Sequence, residues 1–351
     1  VLFVEAPVRS ETARTSQLSI REVADYPNIL VLQTEMPAAR WADLEWVDAE
    51  RRRLIQSVLA GPVGREFAEP VQWFYDPMAL TAFAGEMNER AIVYDCMDEL
   101  SQFKGAPREL VRRERELLAI ADLVFAGGPK MWATKREQNP NCFLFGCGVD
   151  VAHFGRALHH STPLPGDVAQ LQRPILGYFG VVDERIDYEL IAALADYDSN
   201  WNVVIVGPTA KVDPADFPRR KNLHWLGGRD YAELPAYVKA FDVCLMPFAI
   251  NAATEFINPT KALEYMATGT PIVSTAIDDV VLQFSDVVRI GESRDKFIEL
   301  CAREATRPTQ ARSRRGLQRA RSNTWDSIVA QLEAHVAEVV EEKRAVTVTA
   351  A

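Results

Sequence analysis

The sequence predicts an α/β protein of two domains, each built on a parallel sheet, and three observations carry this. Short apolar runs alternate with helical segments along most of the chain, the order that parallel sheets require. In the second half nearly every such run ends at glycine or proline, which sets the turns along one carboxyl edge, where doubly wound sheets bind ligands. At 351 residues the chain is too long for one average domain.

In chain order, residues 1–4 and 29–33 read as strands, so the chain opens inside a sheet and an upstream segment is expected to be missing. Residues 48–59 read as a helix, and 71–75 and 91–94 as strands. The second of these runs into Asp95-Cys96-Met97-Asp98-Glu99. Acids at a strand's carboxyl end suit a ligand crevice, but turns and helix caps recruit them too. Leu110, Val111, Glu114, Leu117, Leu118 and Ala121 recur at helical spacing, and strands follow at 123–126 and 142–145. Residues 155–174 hold prolines and glycines without a period and read as the interdomain linker, with His159-His160 as a solvated pair.

The second half restarts at strand 175–179, with a loop over 180–187 and a helix over 188–195. Strands at 203–206, 223–226 and 243–246 follow, with a helix over 231–240 before the last of them. Arg185, in the first loop, is a candidate phosphate contact or a surface arginine paired with Asp183 or Glu184. The chain closes in helices from Lys296. Trp325 stands in mid-run, Ile328, Leu332, Val336 and Val339 form an apolar stripe that must be buried, and the tail is expected to fray.

A formal net charge of -10 argues against a chain-wide nucleic-acid footprint. Arg51-Arg52-Arg53 and the group Arg108, Arg112, Arg113 and Arg115 read as solvated helix faces. Five scattered cysteines (Cys96, Cys142, Cys147, Cys244 and Cys301) without a CxxC indicate neither a disulfide framework nor a zinc site, so no metal is expected. The expectation is a cytoplasmic protein, with any membrane contact peripheral, at the inner face and through the first domain. Neither GxGxxG after a strand nor GxxxxGK[ST] occurs.

The stretch 251–275, NAATEFINPTKALEYMATGTPIVST, carries the most chemistry. Asn258 can cap a helix that Pro259 opens and Gly269 ends. The unpaired amides of that first turn, with the Thr260 hydroxyl and the Lys261 ammonium, make an anion site. Glu264, one turn on, would accept hydrogen bonds from sugar hydroxyls. A diphosphate at one end and a ribose at the other describe a nucleotide sugar. An ordinary capped helix before a core strand is the plain alternative.

Gly148-Val149-Asp150 with Phe154, the Gly-Tyr-Phe-Gly run ending at Gly180, HWLGGRDYAELPAYVKAFDVCLMPF and NPTKALEYMATGTPIVST together resemble bacterial retaining glycosyltransferases of the GT-B fold. In that family they are most like the sucrose-synthase and mannosyltransferase-like branch. WFYDP, YDCMDELSQF and ADLVFAGG resemble its cell-surface polysaccharide members. The resemblance implies two facing Rossmann-like domains, with a C-terminal helix returning to the first. It sets an acceptor domain at 1–158, a linker at 159–174, a nucleotide-sugar domain at 175–322 and the returning segment at 323–351.

It also implies that Arg185 and Lys261 neutralise the diphosphate beside Gly180, that Asn258, Pro259 and Thr260 present the helix end, and that Glu264 holds the ribose. Gly228, Arg229 and Tyr231 would receive the base, and Asp98 and Glu99 would face the transferred sugar. The donor, of UDP or GDP type, is a substrate, so no cofactor is expected, and the acceptor is a glycan or lipid-linked sugar. Two departures stand out: Glu255 is one place out of register with the family's paired glutamates, Phe256 taking that place, and the family's first strand, loop and helix are missing. A non-catalytic nucleotide-sugar-binding or scaffold subunit is therefore the alternative, and an epimerase would need acid/base residues in the cleft.

Overall fold

The computed structural model describes residues 1–24, 26–102, 105–251, 254–257 and 260–350, with backbone alone at 26–28, 63, 66 and 347–350. Its first half contains β1 (Leu2–Val4), β2 (Val8–Ser10), β3 (Gln17–Val23), β4 (Tyr26–Pro37) and α1 (Leu44–Leu59). These are followed by β5 (Val71–Phe74), α2 (Leu80–Phe83), β6 (Ala91–Cys96), α3 (Arg108–Ile120), β7 (Leu123–Ala126), α4 (Pro129–Lys135) and β8 (Cys142–Leu144). Strands β5 to β8 pair in chain order, all parallel. β1 and β2 pair in parallel with β4, and β3 pairs with it antiparallel. β3 was not expected from the sequence: it is largely exposed, Ile20 included, so it lacks the alternation that marks a half-buried strand. Its pairing extends β4 to twelve residues where 29–33 was expected.

The crossover carries α5 (Val151–Gly155), a 3-10 turn at Arg156–Leu158 and α6 (Gly166–Ala169), local structure that the aperiodic composition of 155–174 did not announce. Phe154 and Val168 are buried in the core of the second half. That half runs β9 (Ile175–Phe179), α7 (Tyr188–Tyr197), β10 (Asn202–Val206), β11 (Leu223–Gly227), α8 (Leu234–Ala240), β12 (Val243–Met246), α9 (Lys261–Thr268), β13 (Ile272–Thr275), α10 (Asp278–Phe284), β14 (Arg289–Gly291), α11 (Arg294–Thr306) and α12 (Gln310–Ser322). Its parallel sheet has the order β11-β10-β9-β12-β13-β14. The chain therefore leaves β9 in one direction and returns at β12 to build the other, the Rossmann arrangement, with its switch point between those two strands.

Trp325 opens α13 (Trp325–Ala350) rather than standing in mid-helix. Asn323 leaves helical geometry at φ -125 and ψ 51, and the Thr324 hydroxyl accepts from the Ser327 amide at 3.2 Å, so Asn-Thr stops one helix and caps the next. The tail expected to fray continues this helix. The apolar stripe of α13 lies on the first half: Leu332, Val336 and Val339 pack on Val93, Leu123 and Phe125, and Lys343 pairs with Asp122 at 2.8 Å. The halves are joined where the Val149 amide donates to Asn323 O and a Cβ on Gly148 would crowd Trp325.

Candidate active site

The switch point supplies the floor of the site. Gly180 (φ +138) ends β9 and Gly207 (φ +156) ends β10, backbone that L side chains rarely adopt. A Cβ on Gly207 would overlap Gly180 O, and one on Gly180 would overlap Lys261 Cε. The glycines let two strand ends approach each other and leave room for a lysine across them. The loop after β9 is tied to its neighbours by Val182 N–H to Pro208 O and Ala249 N–H to Arg185 O, both 2.9 Å.

Helix α9 carries Lys261 to this point. It ends as expected at Gly269, left-handed at φ +71, and Thr260 is its N-cap residue, although the Thr260 side chain makes no cap bond. Asn258 and Pro259, expected to cap and open it, lie outside the described residues. The Tyr265 hydroxyl accepts from Phe179 N–H at 3.0 Å and fixes the helix against β9. Lys261 Nζ lies 5.7 Å from the Tyr178 ring centroid and has no hydrogen bond or ion pair among the described residues. Burial lowers its pKa, Arg185 acts in the same direction, and Glu264 and Asp183 oppose them.

Of the two readings made of Arg185, the pairing with Asp183 is the one seen. The arginine chelates Asp183, with Nη2 to Oδ2 at 2.6 Å and Nε at 3.0 Å, and it stands close enough to Lys261 and Asp98 to act on both. Glu264 is partly buried. Loss of water raises its pKa and Lys261 pulls it back. Tyr231, exposed, stacks on His153 at 4.2 Å, and Glu264 is among the charges that raise its pKa after burial. A Cβ on Gly228 would make ordinary contact with Pro208 at 3.7 Å. The Arg229 guanidinium is engaged: it donates to Tyr237 Oη (2.7 Å), Leu226 O (2.6 Å) and Gly228 O (2.9 Å), and pairs with Asp167 (2.9 Å). It fastens α6 to α8 and presents no free donor fork to a ligand.

Across the cleft, Asp98 and Glu99 part company. The exposed Asp98 side chain has no hydrogen bond among the described residues, and its pKa is raised by loss of water and lowered by Arg185. Glu99 turns inward to Lys135 Nζ (2.7 Å) and Ser101 Oγ (2.7 Å), and the same ammonium meets Glu114 (2.7 Å), which accepts from the Tyr94 hydroxyl. Glu255, the glutamate one place out of register, is held by Lys130 of the first half at 2.9 Å, and Phe256 packs against the first-half core. Sequence reasoning gave no role to Lys130, Cys147 or His153. Only Gly128-Pro129 before Lys130, the signature of a helix start at a strand's end, hinted at the first. Among the described residues no helix is long and apolar enough to cross a membrane.

A family model described as glycosyl transferases group 1 matches residues 173–302. Over 203 residues the chain is 26% identical to TuaH of Bacillus subtilis (strain 168), named a teichuronic acid biosynthesis glycosyltransferase. That alignment spans 52% of this chain and 50% of that protein, about half the relative's length. Similar solved structures include sucrose-phosphate synthase from Thermosynechococcus elongatus, with a TM-score of 0.69, 17% identity and coverage of 92% of this chain and 86% of that one. The UDP-forming α,α-trehalose-phosphate synthase from Burkholderia xenovorans, in complex with glucose-6-phosphate, gives 0.69, 13% identity and coverage of 95% and 92%. HepE of Anabaena, in complex with UDP and glucose, gives 0.61, 15% identity and coverage of 82% and 81%. Residues 173–302 are therefore similar to the group 1 glycosyl transferases, and the chain as a whole has the GT-B fold of these solved structures.

Proposed function

We propose that the protein transfers a sugar from a nucleoside diphosphate sugar, of UDP or GDP type, to a glycan or lipid-linked acceptor in cell-surface polysaccharide synthesis, with retention at the anomeric carbon. The observation that carries this is the Lys261 ammonium, unpaired among the described residues, at the start of α9, beside Arg185 and over the glycine floor of the switch point. A partly buried cation with no hydrogen bond or ion pair among the described residues is costly, and a diphosphate would give it direct contacts together with acceptors for the helix amides.

In this reading Lys261, Arg185 and the start of α9, with Asn258, Pro259 and Thr260, take the diphosphate. Glu264 takes the ribose, and the backbone from Gly228 to Tyr231 takes the base. As the bond between the anomeric carbon and the phosphate oxygen breaks, charge grows on the phosphate and the two cations stabilise it. The acceptor hydroxyl forms the new bond on the same face, its proton passing to the departing phosphate. Asp98 faces the positive charge that develops at the sugar, whereas Glu99 holds the loop through Lys135. Residues 1–158 take the acceptor and 175–322 the donor, at the cytoplasmic face of a membrane. TuaH and HepE support this direction by their names and ligands.

One observation favours a second reading, a nucleotide-sugar-binding subunit without turnover: Glu255 is spent on Lys130 and is not free for the donor sugar. Titrating UDP and GDP by calorimetry into wild type and Lys261→Ala tests the site. The variant should lose about 1.5–3 kcal/mol, and unchanged affinity would sink the diphosphate assignment. Product formation or donor hydrolysis by the wild type selects the enzyme; nucleotide binding with neither selects the subunit.

A further inference from the structure

β5 and β6 lie side by side with Trp73 opposite Val93, and Asp95 stands opposite Phe125 of β7. Side chains alternate across a sheet, so Trp73, Val93 and Asp95 share the face that α13 covers, while Phe74, Tyr94 and Cys96 point the other way. On that covered face Trp73 packs 5.5 Å from Phe125, and Phe125 lies 5.2 Å from Phe145, so the setting of Asp95 is aromatic. The Trp73 indole donates to Asp95 Oδ2 at 3.1 Å. That is the carboxylate's one hydrogen bond among the described residues, which leaves Oδ1 without a donor. At the carboxyl edge, one residue past β5, Tyr75 presents an exposed ring beside Asp95.

A carboxylate that served only the Trp73 N–H would be an expensive choice, since a backbone carbonyl or an amide does the same without a charge. Loss of water raises Asp95 to about 6. Cys147, next along this edge, is pushed up to about 11 by burial, with Asp98, Glu264 and Asp95 adding to the rise. The edge therefore offers aromatic faces and a carboxylate oxygen without a donor among the described residues.

We propose that Trp73, Tyr75 and Asp95 form an acceptor subsite for an uncharged sugar ring, its apolar face on the aromatic side chains and one hydroxyl donating to Asp95 Oδ1. This rests on the glycosyl-transfer reading and specifies its acceptor. Aromatic rings hold the C–H face of a sugar, a carboxylate takes its hydroxyls, and the charge of Asp95 disfavours an acidic sugar in the same place.

Saturation-transfer NMR on the whole chain tests this with methyl glucoside, methyl galactoside and methyl glucuronide at pH 8. A neutral glycoside should receive saturation and the glucuronide should not. Tyr75→Ala, an exposed change, should weaken the neutral signal roughly three- to tenfold, the size of one aromatic contact. Asp95→Asn, similar in shape, should admit the glucuronide. No transfer to either neutral glycoside, equal transfer to the glucuronide in wild type, or a Tyr75→Ala variant that binds like wild type would each overturn the subsite. UDP and GDP affinities of the same variants report on the donor site separately: nucleotide binding kept with glycoside binding absent defeats the subsite alone, and the reverse defeats the donor reading alone.

Discussion

Replacing Lys130 with methionine should open the cleft. Lys130 Nζ lies 2.9 Å from both Glu255 Oε1 and Asp278 Oδ2 and 5.3 Å from the Phe256 ring, and the Lys130 amide donates to Asp279 Oδ1 at 3.1 Å. One residue of α4 in the first half thus grips the 254–257 loop and the start of α10 in the second, at contacts other than the Val149–Asn323 join. The three charged side chains are 30%, 45% and 60% exposed, so each ion pair is worth about 0.2–1 kcal/mol rather than the value of a buried pair. The cation–π contact adds roughly 0.5–1 kcal/mol.

Methionine keeps the stem and removes the charge, leaving Glu255 and Asp278 facing one another. Together this costs the closed form about 1–3 kcal/mol, a shift of roughly five- to 150-fold in the closed-to-open ratio. Small-angle scattering at low and high salt measures it. Wild type should expand as salt rises and screens the pairs, and the variant should be expanded at low salt and respond little. Identical profiles and identical salt responses in the two proteins would refute the clasp.

Two further expectations use the same structure. Glu264→Gln should weaken UDP binding, because an amide accepts ribose hydroxyls less well than a carboxylate. Pyrophosphate binding should hold or improve once a charge beside Lys261 is gone. Equal losses for the two ligands in a calorimeter would remove Glu264 from the ribose. Asp279 is buried with Oδ2 unpartnered, and burial raises its pKa from 3.8 to about 6. The folded-state value lies above the unfolded one, so its contribution is intact below about pH 4 and is lost as pH rises through about 6. Asp279→Asn cannot ionise, and its melting temperature should therefore gain on wild type as pH rises from about 4 to about 7, with the difference level above that. A pH-independent difference would show that Asp279 does not ionise in this setting.

Much of the fold was legible residue by residue because its signals are local. Alternating apolar runs gave the strands of both Rossmann-like halves, and Gly180, Gly207 and Gly269 marked backbone that other residues resist. Thr324 beside Asn323 was an equally local stop-and-start signal, hidden only by the apolar period running past it. β3 escaped because its face meets water, so burial left no pattern in its composition.

The candidate site divides along the same line. Lys261, Thr260 and Glu264 were readable as a group, since one helix turn brings them together whatever surrounds it. Asp98 and Glu99 are neighbours in the chain, and which of them faces the cleft depends on Lys135 of another helix, which claims Glu99. Arg229 is claimed by Asp167, 62 residues away, and Glu255 by Lys130 from the other half of the molecule. Residue type states what a side chain can bind, but a charge goes to whichever partner the packed chain brings within about 3 Å, and those partners are set by contacts distant in sequence.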